Sequence, residues 1–81
     1  MNVSVKLFAV ARQRAGRGNI IVELPAGATV QQLRAALAAQ CPPLVDLLKH
    51  SRVAVNSDYA GDAAAIPESA EIALIPPVSG G

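Results

Sequence analysis

Val3, Val5, Leu7 and Ala9 alternate with Ser4, Lys6, Phe8 and Val10. A period of two marks a strand with one face buried and the other in water, so the pattern predicts a first strand running through Val10. Phe8 falls on its polar side. Arg12 to Gly18 reads as a basic, glycine-broken connection, and Ile20, Val22 and Leu24 then alternate with Ile21 and Glu23, which predicts a second strand and a hairpin. Pro25-Ala26-Gly27 ends that strand. Thr29 with Gln32 three positions later has the spacing of a capping box, and Val30, Leu33, Leu37 and Cys41 follow on one helical face. Pro42-Pro43 stops the helix. A shorter helix starts near Pro43 with Leu44, Leu47 and Leu48 as its apolar stripe and His50 near its end. Val53 and Val55 alternate with Arg52, Ala54 and Asn56 in a third strand, which turns at Ser57-Asp58 into a short strand at Tyr59-Ala60. Glu71 to Ile75 forms the last strand, with Ile72 and Leu74 inward.

Strand, strand, helix, short helix and three strands give an α+β chain in which one mixed sheet curls over one main helix. The β-grasp, or ubiquitin-like, roll has this order. Its first and last strands are parallel neighbours at the sheet centre. The expected organisation is a domain at 1–75 and a flexible tail at 76–81. Eighty-one residues support a single core without a roomy internal active site, which argues against an enzyme working alone.

Seven Lys+Arg against six Asp+Glu leave a net charge of +1, too weak for a nucleic-acid or membrane field, and Phe8 and Tyr59 are too few for a base-stacking surface. Neither a signal-peptide core nor a membrane-length apolar run is present, so the expected location is cytoplasmic. The single cysteine excludes an internal disulfide and a thiolate metal cluster from this chain alone.

The chemistry concentrates in the tail, Pro76-Pro77-Val78-Ser79-Gly80-Gly81. Two glycines lack Cβ, pass through a narrow channel and leave the Gly81 carbonyl open to attack. Pro76 and Pro77 make a stiff neck, and the four residues from Val78 reach about 13 Å when extended. Elsewhere the residues point to structure. Cys41 belongs to the Leu33-Leu37 stripe with no basic neighbour predicted, and His50 sits where it complements a helix end. Asp58, Asp62, Glu68 and Glu71 lack the spacing of a metal loop or an acid/base pair. Gly16 and Gly18 precede a strand, so they form no phosphate cradle. Strand parity groups Phe8, Val10, Ile21 and Ile75 on the outer sheet face as an apolar docking patch, with Arg12, Arg14 and Arg17 at its margin.

Val5-Lys6-Leu7-Phe8-Ala9 with Arg12 and Gly16, Val53-Ala54-Val55-Asn56 with Tyr59, and Ile72 to Gly81 together resemble the small, sulfur-carrier subunits of molybdopterin synthase over the whole chain. The Pro-Pro-Val-Ser-Gly-Gly end is the most specific part. The resemblance implies a carrier in molybdenum cofactor biosynthesis that binds no cofactor or metal by itself. A ubiquitin-activating-like adenylyltransferase spends ATP to link AMP transiently to Gly81, and a sulfur donor displaces the AMP to leave a thiocarboxylate. The tail, Pro76 to Gly81, then enters the large synthase subunit, in a heterotetramer of two small and two large subunits, and sulfur passes to cyclic pyranopterin monophosphate. Two alternatives stay open: a carrier for another sulfur pathway such as thiazole synthesis, and a protein-tagging modifier that joins Gly81 to lysines.

Overall fold

A computed structural model describes residues 1–77. It contains β1 (Asn2–Leu7), α1 (Ala9–Ala15), β2 (Asn19–Glu23), α2 (Val30–Gln40), a 3-10 turn (Pro42–Leu44), α3 (Val45–Leu48), β3 (Arg52–Val55), β4 (Asp58–Ala60) and β5 (Ile72–Ile75). The strands form one mixed sheet in the order β2-β1-β5-β3-β4. β5 is central and runs parallel to β1, with Val5 opposite Ile72 and Leu7 opposite Leu74, while its other neighbour, β3, is antiparallel. This is the β-grasp arrangement expected from the element order.

The alternation does its work in β1, where Val3, Val5 and Leu7 are buried and Asn2, Ser4 and Lys6 are exposed. Together with Ile20, Val22, Ile72 and Leu74 they cover the buried face of α2, formed by Val30, Leu33 and Leu37. Each such side chain contributes about 1.5–3 kcal/mol by leaving water. Thr29 and Gln32 form the capping box reciprocally: the Thr29 N–H donates to Gln32 Oε1 at 2.8 Å, and the Gln32 N–H donates to Thr29 Oγ1 at 3.3 Å. Cys41 caps the C-terminal end of α2, half-buried against the core.

Two expectations need correction. The first strand ends at Leu7 rather than running through Val10, and the basic connection after it is helix α1, not a hairpin loop. Ala9 takes a left-handed φ of 49°, a conformation costing an L-residue roughly 1–2 kcal/mol, and so breaks the extended run. The helix closes at Gly16, whose φ of 74° lets its N–H donate to the Arg12 carbonyl. The second correction is smaller. The turn between β3 and β4 consists of Asn56 and Ser57, both left-handed at φ 50° and 72°, one position earlier than the sequence suggests.

Arg34 fixes the opening of β3. From α2 its guanidinium donates to the carbonyls of Leu48 at 2.6 Å and Ser51 at 2.7 Å, and to Asp62 Oδ1 at 2.9 Å. It thereby holds the residues that precede Arg52 in place. Charge-assisted bonds to partly buried carbonyls are lost together on truncation, so Arg34→Ala should destabilise the domain by about 2 kcal/mol. Urea unfolding measures this; a change near zero would show that water replaces the guanidinium without cost.

Candidate functional site

β5 delivers the chain to Pro76, which is buried, and Pro77, which is exposed. The tail is therefore rooted in the central strand of the sheet. Val78, Ser79, Gly80 and Gly81, which the sequence marks as the reactive end, lie outside the described residues.

Two clefts flank this root. On one side Phe8, Val10, Leu47, Ile75 and the two prolines line a space of about 610 Å³, with Ala9 and Arg14 completing it. Its walls are mostly carbon, and Phe8 remains 46% exposed, a large apolar surface for a domain of this size. The cleft on the other side, about 330 Å³, lies between the prolines and His50, Arg52 and Tyr59. Ile75 belongs to both clefts and to a third trough on the outer sheet face, where Ala54 and Ala73 leave room between Phe8 and Tyr59 and the Lys6–Glu71 pair forms part of the wall. Arg52 lies 5.0 Å above the ring of Tyr59, a cation–π contact that orients its guanidinium beside the root.

Of the residues expected to form the docking patch, Phe8, Val10, Ile75, Pro76 and Pro77 do come together, though by a different route from strand parity. Phe8 is the N-cap of α1, and Val10 is a half-buried residue of that helix rather than a strand position. Ile21 stands apart. It is 58% exposed on the outer face of β2 but pairs with Ser4, four residues before Phe8, which places it roughly 13 Å along the strand direction. Arg12 also lies elsewhere: it borders an open cleft with Gln13, Arg17 and Gly18, and the margin position beside Phe8 belongs to Arg14. Leu47 and Arg52 are additional lining residues. Arg52 is an outward position in the alternation of β3, but its place beside the tail depends on the β3–β5 register, which pairs it with Ile75.

Among the described residues no group of three or more His, Cys, Asp or Glu side chains could hold a metal ion, and no helix is long and apolar enough to cross a membrane. Cys41 shares a small cavity with Ala15, Ile20, Gln40 and Arg17, so it does have a basic neighbour, contrary to the expectation, brought there by the connection between α1 and β2; the cavity shares no lining residue with the tail root. Its half-buried position at the helix end is that of a packing residue. Cys41→Ala should cost about 1 kcal/mol of stability in urea unfolding, through a lost core contact. An unchanged unfolding midpoint would show that the thiol contributes nothing to packing.

Comparison with known proteins places these features in a family context. The model of the ThiS family matches residues 5–81. A molybdopterin synthase sulfur carrier subunit of Arabidopsis thaliana is 33% identical over 81 residues, which cover 100% of this chain and 84% of the relative. The crystal structure of SAMP1 from Haloferax volcanii superposes with a TM-score of 0.88 at 31% identity, covering 100% of both chains. A putative molybdopterin converting factor subunit 1 from Pyrococcus furiosus gives a TM-score of 0.83 at 28% identity, covering 96% of this chain and 99% of the other.

Proposed function

The chain belongs to the ThiS family of ubiquitin-like sulfur carriers, and from that membership we propose that it is the sulfur-donating small subunit of a molybdopterin synthase. The match to the Arabidopsis thaliana carrier subunit, which spans the whole of this chain, carries this reading. The rooted tail agrees with it: a central strand leading into two prolines is a stiff base from which a diglycine end is presented to a partner.

The chemistry follows from the weakness of a carboxylate as an electrophile. The Gly81 carboxylate attacks the α-phosphorus of ATP in the activating enzyme, forming an acyl-adenylate and releasing pyrophosphate. A hydrosulfide-equivalent donor attacks the acyl carbon, AMP leaves, and a thiocarboxylate remains. In the large synthase subunit the tail holds this sulfur nucleophile at high effective concentration beside cyclic pyranopterin monophosphate. The sulfur bonds to a substrate carbon as the oxygen on that carbon leaves, and water then cleaves the acyl–sulfur bond, returning Gly81 to its carboxylate. ATP belongs to the activating enzyme, and the substrate pocket belongs to the large subunit. The assembly is a heterotetramer of two small and two large subunits, in the cytoplasm.

A chain carrying a chemically installed Gly81 thiocarboxylate, mixed with the large subunit and cyclic pyranopterin monophosphate, should yield molybdopterin in single turnover. The carboxylate form should yield none. Equal inactivity of both forms with a competent large subunit would refute the assignment.

One observation favours a second reading. SAMP1, at 31% identity over its full length, is a small archaeal modifier protein. An activated Gly81 acylating a lysine amine would make this chain a tag. Both readings share the adenylate and differ in the nucleophile that displaces AMP.

A further inference from the structure

We propose that the partner face receiving the tail carries carboxylates on both sides of its apolar contact, one set meeting Arg14 and the other meeting Arg52. The proposal deepens the sulfur-carrier reading and rests on it, since it specifies the chemistry of the large synthase subunit's docking face.

The net charge of +1 conceals how charge is distributed along the strands. Glu23 pairs with Asn2 at the start of β1, while Asp58 and Glu71 lie at the opening of β5, level with the middle of β1, where Glu71 lines the outer-face trough and is paired with Lys6. At the other end, where the chain leaves β5, stand Arg14 and Arg52. Arg14 borders the cleft formed by Phe8 and the prolines, and Arg52 borders the cleft on the other side of the same prolines with His50. No Asp or Glu lines either cleft. Asp46, in the first turn of α3, is absent from both linings.

Among the described residues neither arginine has an acidic partner. The ion pairs among the described residues join Lys6 to Glu71 and Arg34 to Asp62. Arg14 in the last turn of α1 complements that helix's dipole, which accounts for its presence there but not for Arg52, which opens a strand. Arg52 is instead held over Tyr59, a side chain 63% exposed, so that two exposed groups are ordered beside the tail without contributing to the core. A cation on each side of an apolar centre, that of Arg52 oriented by Tyr59, is the complement of an apolar contact with an acidic rim. Such charges steer encounter and fix orientation, and the flanking pair would set the rotation of the tail as it enters its channel.

The test is the association of the intact chain with the purified large subunit of its own molybdopterin synthase, followed by stopped flow across a salt series. Arg14→Gln and Arg52→Gln should each slow association about threefold, and the double variant about tenfold, with a flattened salt dependence. Asn2→Asp removes one unit of net charge at the opposite end of the sheet and should leave the rate unchanged. If the arginine variants associate like the parent, or if Asn2→Asp slows association equally, the acidic rim is overturned while the carrier reading stands. Should the arginine variants lose retention on heparin without any change towards the large subunit, the cations serve a polyanion and the proposal fails. Absence of any binding by the parent chain at low salt would overturn the carrier reading, and this inference with it.

Discussion

Deletion of Gly81 is expected to leave folding and melting behaviour intact while abolishing adenylation and sulfur transfer. The buried side chains of the described core all precede Pro77, and glycine has no side chain to add to them. The deletion does shift the terminal carboxylate back by one residue, about 3.3–3.6 Å along an extended chain. A misplacement of even 1 Å at a reacting centre can cost a hundredfold in rate, and a thiocarboxylate has no substitute among the side chains. Thermal melting and an ATP–pyrophosphate exchange assay separate the two effects. Molybdopterin formation at a normal rate by the truncated chain would remove Gly81 from the mechanism.

Phe8→Ser should weaken binding to the large synthase subunit by 2 kcal/mol or more, roughly a 30-fold rise in Kd, as loss of an aromatic anchor does. The free domain should lose little. Phe8 is half exposed, and it occupies the N-cap of α1 without making a side-chain cap bond. Serine is among the preferred residues there, so the substitution offers α1 a cap while removing the aromatic ring from the cleft. A sequence shaped only for stability would favour the opposite choice. Binding to the activating enzyme should fall as well, because a carrier this small presents one face to successive partners. Titration of both partners together with a thermal melt decides the matter: unaltered affinity with a large fall in Tm would make Phe8 a core residue and dissolve the docking face.

The two ways in which Phe8 can be read show what the sequence reveals and what it withholds. Its outward position is legible from alternation in β1, because burial on one face imposes a period of two wherever the strand is regular. The end of that strand is not, since Phe8-Ala9-Val10 continues the alternation and only the left-handed Ala9 interrupts it. A local signal for α1 does exist. Arg12-Gln13-Arg14-Ala15 are good helix formers closed by glycine, a stop pattern outweighed by the basic, glycine-broken composition that reads as a hairpin connection. The capping box at Thr29 and Gln32 was fully legible because it is written in four consecutive positions. Long-range placement was not. Arg52 reaches the tail root through its register with Ile75, and Leu47 through the docking of α3, neither of which is encoded in nearby sequence. Ile21 shows the converse: it shares the predicted face, but its pairing with Ser4 sets it too far along the sheet to join Phe8.

The central claim is that Gly81 carries sulfur, and the intact mass of the protein isolated from the organism that encodes it tests this most directly. The account predicts a fraction heavier by the difference between one sulfur and one oxygen, with the change confined to the C-terminal residue and removed by incubation with the large subunit and cyclic pyranopterin monophosphate. A population in which Gly81 is never thiolated and is instead joined through an isopeptide bond to lysines of other proteins would contradict the carrier mechanism and establish the chain as a tag.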